Sequence, residues 1–409
     1  MKRKLNICIV HPNRNAYSET FIRNHINYLP GNIFDLYGSV LPAFNNKDER
    51  IADLFIHRNF PARLLMMACK ILPAFVIARI SSSIKGYPYD ENFNKKAFEY
   101  YLKKNKIDVV LAEFMGKGSV AMDSCSLLSI PLVVHSHGGS DIASIHVKKY
   151  YSQDFPALFK KASFIISVDS YSSACLLEMG LQKNKLVNLG YGIDTNLFEK
   201  TTPSLNGELF FAAGRFVGMK APHLTIIAFS KVLRYYPNAK LVMAGDGVLY
   251  DPCIQLVKAL QIEKNVELPG VLDNIAVSKY MHKARAFVQH SLFTIENESE
   301  GTPLAILEAM ACGLPVISTY HNGIADTIEH GHDGLLVKEN DIDKMTFFMQ
   351  QVLDDPSYAD KLGNNAREKI ENNFELSMVI AKLYKVLAEA VETANENQLL
   401  STYVSNRQH

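Results

Sequence analysis

The chain has 409 residues, 48% of them hydrophobic, with 43 basic and 42 acidic side chains. That length suits two cores of about 150–200 residues each. The apolar content excludes a disordered chain, and the even charge balance argues against a nucleic-acid binder. The six cysteines, at 8, 69, 125, 175, 253 and 312, form no C-x-x-C pair, so no zinc site or disulfide framework is expected.

From the N-terminus, a basic start is followed by an apolar run of only 5–10, which His11, Pro12, Asn13 and Arg14 end. It is too short for a secretory core and reads as a first buried strand. Further strands are predicted over 33–37, 108–112, 132–135, 164–168 and 186–188. A second set follows at 209–213, 240–244, 266–268, 286–289, 316–318 and 334–337. Helical patterns separate them, which predicts an α/β protein with parallel, doubly wound sheets. The polar stretch 196–207 reads as a linker between a domain over 1–195 and one over 208–373. A helical segment over 374–409, apolar at helical spacing to about residue 391, closes the chain and frays at its end. No stretch reaches the roughly 20 apolar residues of a membrane span; the nearest, 64–80, is broken by Lys70, Pro73 and Arg79.

Doubly wound sheets bind ligands beyond the carboxyl ends of their strands. The most informative such stretch is 300–315. Thr302 is expected to cap a helix with Pro303 in its first turn and Gly313 at its far end. The helix is apolar on nearly every side except at Glu308, which needs a partner, either a core cation or ligand hydroxyls. Free amides from Gly301 onward make an anion site suited to a diphosphate. Glu308 lies roughly 9 Å further along the axis, about the distance from a diphosphate to its ribose.

Glu300 and Glu308, followed by Ala309-Met310-Ala311-Cys312-Gly313-Leu314-Pro315, resemble the signature of the retaining glycosyltransferase family 4. Gly214-Arg215 with Lys220, Ala244-Gly245-Asp246-Gly247, Tyr191-Gly192-Ile193-Asp194 and His321-Asn322-Gly323-Ile324 resemble its other segments, in the family's order. The resemblance implies the GT-B fold, two Rossmann-like domains facing across a cleft, with the C-terminal helix returning to the N-terminal, acceptor-binding domain. It implies that Arg215 and Lys220 grip the donor phosphates, that Glu300 bonds the donor sugar and that Glu308 holds the ribose. The amides near Thr302, Pro303 and Leu304 would face the phosphates, although Pro303 has no N–H to give. The base edge falls near Val271, with a weak preference for a UDP donor.

In the first half, His135 and His137 share one side of an extended chain. The resemblance brings a histidine here to the donor sugar; this chain has one residue more between His137 and Asp141 than the family's His-Gly-x-Asp, and His135 competes for the role. Ser18-Glu19-Thr20-Phe21 resembles a segment of polysaccharide-building members and marks acceptor-side candidates, although a simple helix cap explains Ser18 and Thr20 equally. The stretch 51–85, apolar and basic, suits either a peripheral membrane contact or an ordinary helix pair.

The expected activity is a retaining, hexosyltransferase-type transfer from a nucleotide-sugar to a glycan or lipid-linked acceptor in cell-surface polysaccharide biosynthesis. No metal or other cofactor and no nucleic-acid partner are expected, and the location is cytoplasmic, at the inner face of the membrane. A sugar-nucleotide epimerase and a nicotinamide-dependent oxidoreductase are the alternatives. Tyr250 in place of a third glycine after Gly245 and Gly247 counts against the latter.

Overall fold

The computed structural model describes residues 3–14, 16–17, 19–38, 41–51 and 91–405. Two sheets carry the architecture. The first has the order β3-β2-β1-β4-β5-β6-β7, built from β1 (Asn6–His11), β2 (Asn32–Tyr37), β3 (Phe44–Asn45), β4 (Val109–Glu113), β5 (Leu132–Ser136), β6 (Phe164–Ser167) and β7 (Leu186–Asn188). All its pairings are parallel except β2 with β3. The second sheet is parallel throughout, in the order β10-β9-β8-β11-β12-β13. Its strands are β8 (Leu209–Ala213), β9 (Lys240–Ala244), β10 (Val266–Gly270), β11 (Ala286–Val288), β12 (Val316–Thr319) and β13 (Leu335–Val337).

Strands buried on both faces read as continuous apolar runs, and β1, β4 and β5 are such runs: Ile7, Cys8, Ile9, Val109, Val110, Leu111, Val133 and Val134 are fully buried. In each sheet the chain reverses direction once. It winds outward from β1 to β2 and returns to place β4 on the other side; in the second sheet β8 is flanked in the same way by β9 and β11. Those two reversal points face each other, and the loops that follow β1, β4, β8 and β11 open there.

The helix Leu376–Ser405 lies within the helical segment expected from the sequence. Its Leu376, Val379, Ile380, Leu383, Leu387 and Ala390, spaced by three and four residues, pack on Ile7, Ile9, Val109, Leu111 and Val133 of the first sheet. The chain therefore passes between the sheets twice. The two passages touch: the Ile193 N–H donates to the Phe374 carbonyl (2.8 Å) and the Leu376 N–H to that of Ile193 (3.0 Å). The stretch 196–207 is held as well. The Arg285 guanidinium donates to the carbonyls of Pro203 (2.9 Å) and Asn206 (2.6 Å).

Candidate active site

A cavity of about 550 Å³ lies between the sheets, where the loops after β1, β4, β5, β8 and β11 converge. One apolar cluster closes its floor: Phe21, Ile22, Val168 and Tyr191 from the first sheet's side meet Ile306, Leu307 and Ile324 from the second. Backbone contact is close because glycines meet glycines. A Cβ on Gly138 would lie 2.9 Å from the Gly301 Cα. Beside it the Ser140 hydroxyl donates to the Ser299 carbonyl (2.8 Å), and the Ser299 N–H donates back to that hydroxyl (3.0 Å).

The wall from the second sheet holds Gly214, Arg215, Lys220, Val271, Leu272, Glu300, Gly301, Thr302, Leu304, Ala305 and Glu308. Its base is a backbone-to-backbone contact between the turn at Gly245 and the loop at Gly214. The Gly214 N–H donates to the Ala244 carbonyl (3.0 Å), and a Cβ on Gly245, whose φ is +135°, would sit 1.9 Å from the Gly214 oxygen. Only glycine fits there. This contact presents Arg215, which is exposed, and Lys220 toward the cavity. Arg215 makes no ion pair with a described residue, whereas Lys220 Nζ lies 2.7 Å from Glu300 Oε2.

Glu300 is held from behind. Its N–H donates to His321 Nε2 (3.0 Å), and His321 Nδ1 lies 2.6 Å from Glu339 Oε1, which fixes a neutral ring with the proton on Nδ1. Glu308 has no side-chain hydrogen bond or ion pair with any described residue. Burial pushes its carboxyl up to about 7, against the field of Arg23. The sequence left two partners open for it; the structure places this carboxylate on the cavity wall.

The helix itself differs from expectation at its start. It spans Leu304–Ala311, Pro303 is the cap and does not lie in the first turn, and no side chain caps it. The Thr302 hydroxyl instead donates across the interface to the Val168 carbonyl (3.0 Å), a stronger claim on a buried hydroxyl than capping. Pro303 is buried and does not line the cavity, while the first-turn residues Leu304 and Ala305 do. Gly313 follows the helix at φ +71°, as expected of a terminator.

On the opposite wall stand Tyr17, Glu19, Thr20, Phe21, Phe114, His137, Asp141 and Tyr191. Thr20 opens the helix Thr20–Tyr28, whose cap residue Glu19 makes no side-chain cap bond. Glu19 Oε1 instead accepts from Asn13 Nδ2 (2.9 Å), and burial raises its carboxyl. Ser18 lies outside the described residues, as does the stretch 51–85 apart from Ile51. Of the two histidines, His137 lines the cavity and His135 lies beneath it, 1% exposed. Asp141 keeps a structural place, accepting from the N–H groups of Met115 (3.0 Å) and His137 (3.2 Å); burial pushes it up to about 7.

Both His137 nitrogens are engaged within the protein. Nε2 lies 2.9 Å from Glu113 Oε2 and Nδ1 lies 3.0 Å from the Tyr191 hydroxyl, so the ring meets the cavity without a free nitrogen. Glu113, fully buried, also accepts from His25 Nδ1 (2.7 Å). Glu113, His25, Tyr191, His321 and Glu339 were not singled out as site residues from the sequence. A carboxylate ending the apolar run Val109-Val110-Leu111-Ala112 carries the same signal as Glu308 and marks Glu113.

Residues 194–369 match the family model described as glycosyl transferases group 1. The amylovoran biosynthesis glycosyltransferase AmsK of Erwinia amylovora is 26% identical over 409 residues, covering 92% of this chain and 96% of that one. An Escherichia coli protein named UDP-Gal:alpha-D-GlcNAc-diphosphoundecaprenol alpha-1,3-galactosyltransferase is 27% identical, covering 71% and 77%. The crystal structure of Anabaena Alr3699/HepE in complex with UDP superposes with a TM-score of 0.69 at 16% identity, over 94% of this chain and all of that one, which shows a shared fold.

Proposed function

We propose that the chain, a glycosyltransferase of GT-B fold whose residues 194–369 match the glycosyl transferases group 1 model, moves a hexose from a UDP-sugar to a glycan or lipid-linked acceptor, with retention at the anomeric carbon. The relatives, named as glycosyltransferases, give the epimerase and oxidoreductase readings no support. The observation that carries the proposal is the pair Glu300 and Glu308, one ion-paired with Lys220, the other without a hydrogen-bond or ion-pair partner among the described residues, both on the wall of one cavity. A carboxylate held without a partner is matched by ligand hydroxyls, and the ribose and sugar of a nucleotide-sugar supply them.

In this reading the diphosphate lies between Arg215, Lys220 and the start of the helix Leu304–Ala311. The Lys220 ammonium turns from Glu300 to the phosphates as the donor binds, and Glu300 turns to the sugar hydroxyls. Glu308 takes the ribose, and the base lies along Val271 and Leu272. The cations and helix start neutralise the leaving diphosphate, so we expect no catalytic metal. Its oxygen then accepts the proton of an acceptor hydroxyl approaching from the same face, which preserves configuration. Tyr17, Glu19 and Thr20 form the acceptor side, and the basic, apolar stretch 51–85 suits the inner face of a membrane, where liposome flotation at low and high salt tests it.

Two relatives' names supply the substrate direction: one acts in amylovoran biosynthesis, the other on a diphosphoundecaprenol-linked sugar with UDP-galactose. The test is turnover with a panel of UDP- and GDP-sugars, with proton NMR of the fresh product. A retained anomeric signal is expected. An inverted one would transfer the base role to Glu19 and overturn the retaining assignment.

A further inference from the structure

We propose that Glu113 is a positioning residue for transfer: its buried carboxylate fixes the ring of His137 on the cavity wall and sets a negative charge beneath the sugar site. This rests on the reading of the cavity as the transfer site. The two carboxylate oxygens divide the work. Oε1 accepts from His25 Nδ1 at 2.7 Å and Oε2 from His137 Nε2 at 2.9 Å, while His135 Nδ1 stands 3.6 Å from Oε2. Glu113 is 0% exposed, and the side chains of His25, His135 and His137 are 5% exposed or less. Burial alone would raise the carboxyl, but the field of His25 and the two imidazole bonds outweigh it and hold Glu113 ionised.

An ionised carboxylate only accepts, so His137 must donate from Nε2. Burial keeps that ring uncharged, and Nδ1 then accepts the Tyr191 O–H. The ring thus has one tautomer and one orientation. Aromatic neighbours complete the clamp, with Phe21 at 4.2 Å and Phe114 at 4.5 Å between centroids. Backbone strain lies next to the carboxylate: Phe114, directly after Glu113, holds φ +78° and ψ 145°, a region that side chains avoid and that clusters at functional sites. His137 leads directly into Gly138, which abuts Gly301 beside Glu300. As the donor's glycosidic bond breaks, positive charge grows on the sugar, and the Glu113 anion, acting through the polarised imidazole, favours that charge.

The test compares Glu113→Gln and Glu113→Asp with the wild type. An amide offers an oxygen to one imidazole and an N–H to the other, so either His25 or His137 must give up its bond or take the other tautomer. Glu113→Gln is expected to lower kcat about 100-fold, the size of a small misplacement at a reacting centre. UDP affinity by calorimetry is expected to stay within about threefold, because the donor's nucleotide sits on the other wall. Glu113→Asp, which keeps the charge, should recover part of the rate. A second measurement needs no variant: imidazole nitrogen NMR of the wild type should show His137 neutral with its proton on Nε2 at about pH 7–8. A folded Glu113→Gln enzyme with unchanged kcat overturns the proposal. So does a His137 proton on Nδ1, or a stoichiometric bound transition metal in the purified protein, which would take the nitrogens that Glu113 is said to hold. If the wild type transfers from none of the nucleotide-sugars tried, the transferase reading has failed, and the NMR result still judges the positioning claim.

Discussion

Glu308→Gln is expected to make the free enzyme more stable and its donor complex weaker. The carboxyl titrates at about 7 in the folded chain against 4.5 in an unfolded one. Below about pH 4.5 both states are protonated and the carboxylate costs nothing. Between those values the unfolded chain ionises first, so stability falls as pH rises, and above about pH 7 the full cost is present. At about 1.36 kcal/mol per unit the cost would reach about 3.4 kcal/mol for a sealed group. Because the carboxylate opens into cleft water, less than half of that is expected, about 1–1.5 kcal/mol. Removing it should raise Tm at pH 8 by about 2–6 °C, and by nothing measurable below about pH 4.5. Loss of charge-assisted bonds to the ribose should cost about 1.5–3 kcal/mol, raising Kd about 10- to 150-fold at pH 8. Paired melts at both pH values, with calorimetry of UDP binding at pH 8, give the answer. A variant that melts lower at pH 8, or that binds UDP as tightly as wild type, would refute the assignment of Glu308 to the ligand.

Arg215→Ala and Lys220→Ala should each weaken UDP binding by about 1.5–3 kcal/mol in calorimetry, with little change in Tm for Arg215→Ala, whose side chain is exposed and makes no ion pair with a described residue. Gly245→Ala forces a Cβ to within 1.9 Å of the Gly214 oxygen, so the loop carrying both cations must shift; loss of UDP binding is expected, together with a lower Tm. EDTA should leave turnover unchanged, and a loss restored by manganese would show that Arg215 and Lys220 do not suffice for the leaving diphosphate.

The strands were legible because both faces of each sheet are covered, which writes them as apolar runs. β3 was not: its two residues, Phe44 and Asn45, hold an edge position through pairing with Leu36 and Tyr37, and no run marks them. Thr302 carried a correct local signal for a cap, overridden by an acceptor 134 residues away at Val168. His135 and His137 were correctly placed near each other by the period of a strand, but β5 ends at Ser136. The chain turns there, and one ring goes under the wall while the other joins it. Glu308 announced itself as a carboxylate inside an apolar helix. Glu113 gave the same signal at the end of β4, but its partner His25 lies 88 residues away. Without that partner a strand-end glutamate reads as solvent-facing. The relay from Glu339 through His321 to Glu300 is equally silent in sequence, since it joins a side chain to a backbone amide.

The last helix carries a consequence for how the chain is made. Ile7, Ile9, Val109, Leu111 and Val133 have as their cover Leu376, Val379, Ile380, Leu383 and Leu387. During synthesis one face of the first sheet therefore lacks this part of its cover while the whole second domain emerges, at about 5–20 residues per second. That interval is about 10–30 s, in which an apolar β-surface waits for residues not yet translated. Nascent chains stalled after residue 370 should therefore be bound by chaperones or aggregate through their N-terminal half, although every residue of that half is already present.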